Sequence, residues 1–482
     1  MPVTFLFFLF LFYQSVFCLK PLFYNQVKYP PLKDIPTVPV ERDSLENGLH
    51  LFFLEDHELP IIQISVLIQT GSIYEPEERA GLAKITGQVM RTGGTVDRSG
   101  DDIDEFLEKR AAAIEVNIGL EMGEASLSVL TQDFSQVFSV FVDILRQPAF
   151  RDDKIELAKM QEISEISRRN DETDDIAIRE FRKLIYGKGS VYSRHPEYAT
   201  VKSIQKNDLI QFHQKFFQPR RILLGVWGDF KTPEIKQALR AAFKDWDNTL
   251  TDPLIKPLIN YQYKSSINLV EKEEAIQSNI FLGHIGGRYD DPDYFALILM
   301  NRILGSGGFS SRLFKNVRSR EGLAYDVFGQ YTAQYDRPGI FYVGCQTKSE
   351  TTLKAIRAMM HEIKRMQTEA VHEDELVLAK TSFLNSFVFN FDSRSEILKR
   401  MMTYAYYHYP LDFLQKIKTE VEKVTVADVK RVAEKRLHPE ALQILVVGHS
   451  KKFDDALSAI GKVDTIDVTI PDTDKGRGAE KK

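Results

Sequence analysis

Arg318 and Tyr325 stand seven positions apart in the segment "VRSREGLAYDV". Between them is a glycine placed to end a helix before a strand begins. A guanidinium and a phenol at such a junction can point into one cleft. Both could then donate hydrogen bonds to a peptide carbonyl and to the oxyanion that develops on it under attack. The same spacing also describes a helix C-terminus with basic residues near its dipole and a packed tyrosine. Spacing alone leaves both readings open.

Other chemistries find less support. The histidines stand at 50, 57, 195, 213, 284, 361, 372, 408, 438 and 449, and no two are three or four positions apart. No helix face therefore offers the imidazole pair that starts a local zinc site. No G-x-S-x-G nucleophile elbow occurs. Cys345 sits in the apolar run "IFYVGCQT" and reads as packed rather than reactive. The segment "GSGGFSSRLF", carrying Gly305, Gly307 and Gly308, lacks the lysine of a phosphate loop and follows a helix rather than a strand. It is either a substrate-handling loop or a plain helix-ending turn.

These residues need a scaffold. At 482 residues the chain exceeds what one hydrophobic core fills, so two or more domains are expected. Hydrophobic residues make up 43% and charged residues 27%, with a net charge of −5. That composition is globular and provides no basic surplus for nucleic acid.

The pattern of elements repeats after about 220 residues, far above solenoid periods. "GLHLFFLEDHELPIIQISVLIQTGS" and "SSINLVEKEEAIQSNIFLGHIGG" each read as two strands. An amphipathic helix follows each, then a strand pair, then further helices. "KNDLIQFHQKFFQPRRILLGVWGDF" matches "TVADVKRVAEKRLHPEALQILVVGHS": helix, proline break, apolar strand, glycine. The expected fold is α+β, two tandem homologous domains at 45–250 and 265–460. Each is a mostly antiparallel sheet with helices packed on one side. A linker at 251–264 joins them, and 461–482 reads as a disordered tail.

Residues 1–18 read as a signal peptide, followed by an extended proline-rich arm at 19–44. The leader is almost wholly apolar, yet its only positive end is the α-amino group. Export to a bacterial periplasm is expected. Membrane contact arises only if an uncleaved leader or a lipid-modified Cys18 anchors the chain.

The repeat, the helix-opening "GLA" at 81–83 and "SSRLFKNVRSREGLAYDV" together resemble the pitrilysin–insulinase metallopeptidases, the inverzincins with a His-x-x-Glu-His zinc motif. The resemblance spans about residues 42 to 460. Within the family it is similar to mitochondrial processing peptidase and to paired bacterial two-domain peptidases. It implies that Lys84 and Gln88 stand where the two zinc-binding histidines belong, and Gly87 where the catalytic glutamate belongs. Glu165, 77 positions beyond Gln88, matches a further carboxylate ligand. One carboxylate beside a lysine cannot hold Zn²⁺.

The resemblance also implies that Arg318 and Tyr325 are the substrate-carbonyl pair that the family supplies from its second domain. It implies that Gly305, Gly307 and Gly308 handle substrate. The expected role is that of a chain binding no cofactor and inactive alone. It would serve as the partner of a zinc-bearing homologous peptidase subunit in a heterodimer acting on unfolded peptide. The alternative is a peptide-binding or assembly scaffold of the same fold with no part in proteolysis.

Overall fold

The computed structural model describes residues 38–247, 249, 254–389, 393–410 and 413–471. The leader, most of the arm, part of the linker and the end of the tail lie outside the described residues.

The first half carries strands β1 (Glu41–Ser44), β2 (His50–Glu55), β3 (Ile61–Ile68), β4 (Ala113–Ile118), β5 (Gly123–Leu130) and β6 (Ile222–Gly228). Its helices are α1 (Leu82–Thr92), α2 (Gly100–Glu108), α3 (Phe134–Arg146), α4 (Asp152–Arg168), α5 (Thr173–Tyr186), α6 (Tyr198–Ser203), α7 (Lys206–Phe216) and α8 (Thr232–Phe243). The second half carries β7 (Ser266–Glu271), β8 (Gln277–Ile285), β9 (Gly287–Arg288), β10 (Ala324–Gln334), β11 (Pro338–Lys348), β12 (Gln443–Gly448) and β13 (Val463–Thr465). Its helices are α9 (Tyr294–Asn301), α10 (Thr352–Thr368), α11 (Glu373–Val388), α12 (Arg394–Tyr406), α13 (Phe413–Lys423) and α14 (Val426–Arg436).

The strands form two sheets, ordered β1-β2-β6-β3-β5-β4 and β13-β7-β12-β8-β11-β10-β9. Five successive strands, β2-β6-β3-β5-β4 and β7-β12-β8-β11-β10, have the same topology in both. β2 runs parallel to β6 and β7 parallel to β12, with antiparallel pairing elsewhere in these five. The first sheet is mostly antiparallel; the second, where β13–β7 and β10–β9 are also parallel, is antiparallel through its long central strands, and the class is α+β, as the repeat implied.

Alternation on the strands shows which surfaces are covered. β4 alternates strictly, with Ile114, Val116 and Ile118 buried and Ala113, Glu115 and Asn117 exposed, as a half-buried edge strand should. β6, "ILLGVWG", is buried almost throughout, which requires cover on both faces. One cover is its own half's core: Leu51 and Phe53 of β2 with Leu224 and Val226 of β6 join the α1 and α3 side chains. The other comes from the opposite half. Leu398, Met402 and Tyr406 of α12 pack on Phe52, Leu54 and Leu223. A Cβ at Gly225 would stand 2.3 Å from Met402 Sδ. Reciprocally, Ile176, Ala177, Phe181 and Ile185 of α5 pack on Val270, Phe281, Leu445 and Val447 of the second sheet. Each half therefore lends one helix to the other's sheet. Each fully buried Leu, Ile or Phe in these contacts contributes about 1.5–3 kcal/mol.

A polar joint stands at the tips of two equivalent hairpins. Arg337, between β10 and β11, donates to Glu121 between β4 and β5 at 2.8 Å and to the Tyr186 hydroxyl at 2.7 Å. Lys256 pairs with Asp336 and reaches Glu121 at 3.5 Å.

The first part of the expected tail is regular structure. Val463–Thr465 adds β13 to β7, and Ile466 and Val468 pack against the cluster that holds α5. The alternation in "IDVTI" buries apolar residues that the overall polarity of the segment conceals.

Candidate functional site

α1 opens after Gly81, which holds φ at +104°. The orphan backbone N–H groups of Gly81 and Ala83 donate to the two oxygens of Glu75 at 3.0 and 2.9 Å. Glu75 thereby caps the helix. Burial pushes its carboxyl up to about 7, against the lowering effect of those hydrogen bonds. This residue was missed by sequence reasoning, because its partners are backbone groups six and eight positions on.

The positions matching a zinc motif are occupied by contacts of another kind. Lys84 Nζ lies 2.5 Å from a Glu165 oxygen and 2.7 Å from a Glu162 oxygen. Glu162 is buried, at 6% exposure, and the sequence had not singled it out. Burial lowers the Lys84 pKa, but the hydrogen bonds and fields of the two carboxylates outweigh it, so the pKa is raised. Gln88 donates to the Gln161 side chain. Gly87 is buried against edge strand β4, and a Cβ there would come 2.9 Å from the Ile118 amide nitrogen. α1 and α4 are thus joined by a cation clamped between carboxylates.

Among the described residues, no group of three or more His, Cys, Asp or Glu could hold a metal ion. An ammonium occupies the carboxylates that a divalent ion would need, so the donor set does not fit zinc.

Arg318 and Tyr325 are brought together. Arg318 lies in a π-helical segment, Phe314–Arg320. Gly322, at φ +67°, turns the chain into β10, whose second residue is Tyr325. The guanidinium carbon sits 5.2 Å from the Tyr325 ring centre and 4.5 Å from that of Phe314. Tyr325 is 78% exposed. Neither side chain hydrogen-bonds or ion-pairs with any described residue, so both retain their donors for a ligand. No contact among the described residues joins this pair to the Lys84 cluster.

The glycines divide by role. A Cβ at Gly305 would stand 2.3 Å from the Gly329 amide nitrogen of β10, and one at Gly307 would stand 2.4 Å from the Arg302 carbonyl oxygen. Both are required by packing. Gly308 holds φ at +58° in open space and leads into Phe309, which is also 78% exposed. The Phe309 and Phe314 ring centres are 4.6 Å apart. A row results in which the exposed rings of Phe309 and Tyr325 flank the half-buried Phe314 and Arg318. An apolar residue directly after a positive-φ glycine was the available signal for Phe309.

Cys345 is buried and its thiol is pushed up to about 12 by that burial. No described helix is long and apolar enough to cross a membrane.

Fold and site define a duplicated α+β scaffold whose first half carries an ionic cluster of Lys84 with Glu162 and Glu165. Residues 52–193 match the family model "Insulinase (Peptidase family M16)" and residues 203–383 match "Peptidase M16 inactive domain". The chain belongs to this family.

A Helicobacter pylori protein named non-peptidase homolog YmxG is 24% identical over 83% of this chain and 92% of its own length. The mitochondrial-processing peptidase subunit alpha of Caenorhabditis elegans is 22% identical over 87% of each chain. The crystal structure of a peptidase M16 inactive domain from Pseudomonas fluorescens superposes with a TM-score of 0.77. It is 23% identical, over 85% of this chain and 98% of that one. The last likeness is one of fold.

Proposed function

We propose that this chain is the non-catalytic subunit of a heterodimeric zinc metallopeptidase in which a homologous partner carries the metal. The observation that carries the reading is the contrast between the two places where such chemistry could reside. Lys84 pairs with Glu162 and Glu165 at the position matched to the metal site, whereas the half-buried Arg318 and the exposed Tyr325 have no side-chain hydrogen bond or ion pair among the described residues. In the assembled pair, the partner's zinc activates water. Arg318 and the Tyr325 hydroxyl donate to the scissile carbonyl and to the oxyanion that forms from it. An extended peptide adds to the free edge of β4, whose outer residues stand beside α1. The mitochondrial processing peptidase subunits among its relatives support a paired arrangement, and the apolar leader supports export to the periplasm.

The test is reconstitution. Purified alone, the chain should carry no stoichiometric zinc and cleave no peptide. Mixed with a His-x-x-Glu-His homologue from the same genome, it should raise cleavage above that of either chain alone. Zinc-dependent cleavage by the isolated chain would overturn the reading. A stable pair with unchanged activity would leave an assembly scaffold instead.

A further inference from the structure

Beside α5, the second sheet leaves a cavity of about 320 Å³. It is lined by Phe181, Phe281, Phe328 and Tyr342, by the exposed Ile178, and by Arg182 and Arg337. The two cations are not equivalent. Arg337 is engaged by Glu121 and by the Tyr186 hydroxyl. Arg182 makes one hydrogen bond, from Nη2 to the Tyr192 carbonyl at 3.0 Å. No carboxylate among the described residues stands within ion-pair distance of it. Burial lowers its pKa, as expected of a half-buried cation lacking a counter-ion.

The corresponding hollow of the first sheet, beside α12, also measures about 320 Å³. Ser65, Glu115, Asn117, Glu124 and Ser126 line that one, with Lys399. The repeat provides the space in both halves but does not dictate aromatic walls or an unpaired arginine in either. The volume suits one large side chain with its carboxylate, not a folded partner.

We propose that this cavity binds the C-terminal residue of a peptide, with its apolar side chain among the four rings and its α-carboxylate on Arg182. A guanidinium takes a carboxylate through two parallel hydrogen bonds, and the rings accept an apolar side chain. The site is separate from Arg318 and Tyr325 and would select chain ends rather than cleavage points.

Calorimetric titration of the full chain alone tests this, using N-acetyl-Ala-Ala-Phe with a free or an amidated C-terminus, and decanoate. The free acid should bind about tenfold or more tightly than the amide, since the amide leaves the buried cation unpaired. Arg182→Gln should bring the acid down to the amide, while Arg182→Lys should retain part of the difference. The comparison of acid with amide needs no variant, so it holds even if a substitution impairs folding. Equal binding of acid and amide, or no binding, would overturn the proposal. So would tighter binding of decanoate, or an Arg182→Gln chain that binds the acid as before. Because no zinc-bearing subunit is present, failure here leaves the subunit reading untouched.

Discussion

The two halves share strand order, parallel pairs and an exchanged helix, yet they treat their chemically capable side chains oppositely. On α1, Lys84 and Gln88 pair with side chains of α4, two carboxylates and a glutamine, and Gly87 packs on a strand backbone. Ahead of β10, Arg318 and Tyr325 stack on each other with no polar partner, and Tyr325 projects into solvent. Polar partners, present around Lys84 and absent among the described residues around Arg318 and Tyr325, separate the two regions.

The comparison can be broken at several points. The largest effect is expected from Arg318→Ala in the reconstituted pair, where losing one oxyanion donor should lower kcat by roughly 10²–10³-fold. Gln88→Ala, in the closed region, should leave kcat unchanged; equal losses in both variants would erase the distinction.

Acid should act on both halves alike. His213 donates from Nε2 to the Leu145 carbonyl in the first half, and His284 donates from Nδ1 to the Ile285 carbonyl in the second. Burial pushes each imidazole down to about 4. Their folded pKa values lie below the unfolded one. The stability they contribute is therefore present above pH 6.5 and lost as pH falls toward 4, on the order of 3 kcal/mol each. Hydrogen exchange should show both sheets losing protection together over that window. Loss confined to one sheet would break the equivalence.

The closed cluster predicts a smaller, reversible cost. Lys84→Met leaves Glu162 buried without its cation, and should lower stability by about 2 kcal/mol, less than a fully buried pair because Lys84 is partly exposed. Adding Glu162→Gln should recover most of the loss in chemical denaturation; no recovery would mean that the pair is not what joins α1 to α4. The smallest effect, about 1–2 kcal/mol, is expected for Gly305→Ala, whose Cβ meets β10 backbone. Phe309→Ala, exposed nearby, should not shift the melting temperature.

The repeat and its strand pairs were legible because their periodicity is local. The residue identities at Lys84, Gly87 and Gln88, to which the resemblance points, lie in one short stretch. The helix exchange was not legible. It is written only indirectly, in the unbroken apolar runs of Ile222–Gly228 and Gln443–Gly448, which demand a second cover without naming its source. Glu162 and Glu75 were hidden for a related reason. A buried carboxylate in a charged helix looks like a solvated one until its distant cation or backbone donors are placed. Arg318 and Tyr325 were visible as a pair, but their spacing fits packing as well as function. What supports the functional reading is that neither side chain has a polar partner among the described residues.

The most direct measurement is the kcat of the reconstituted pair carrying Tyr325→Phe, which removes one hydroxyl from an exposed ring. The account predicts a fall of roughly a hundredfold or more, with the pair's association and KM little changed. Turnover equal to that of the unsubstituted pair would contradict the claim that this chain completes a peptidase site.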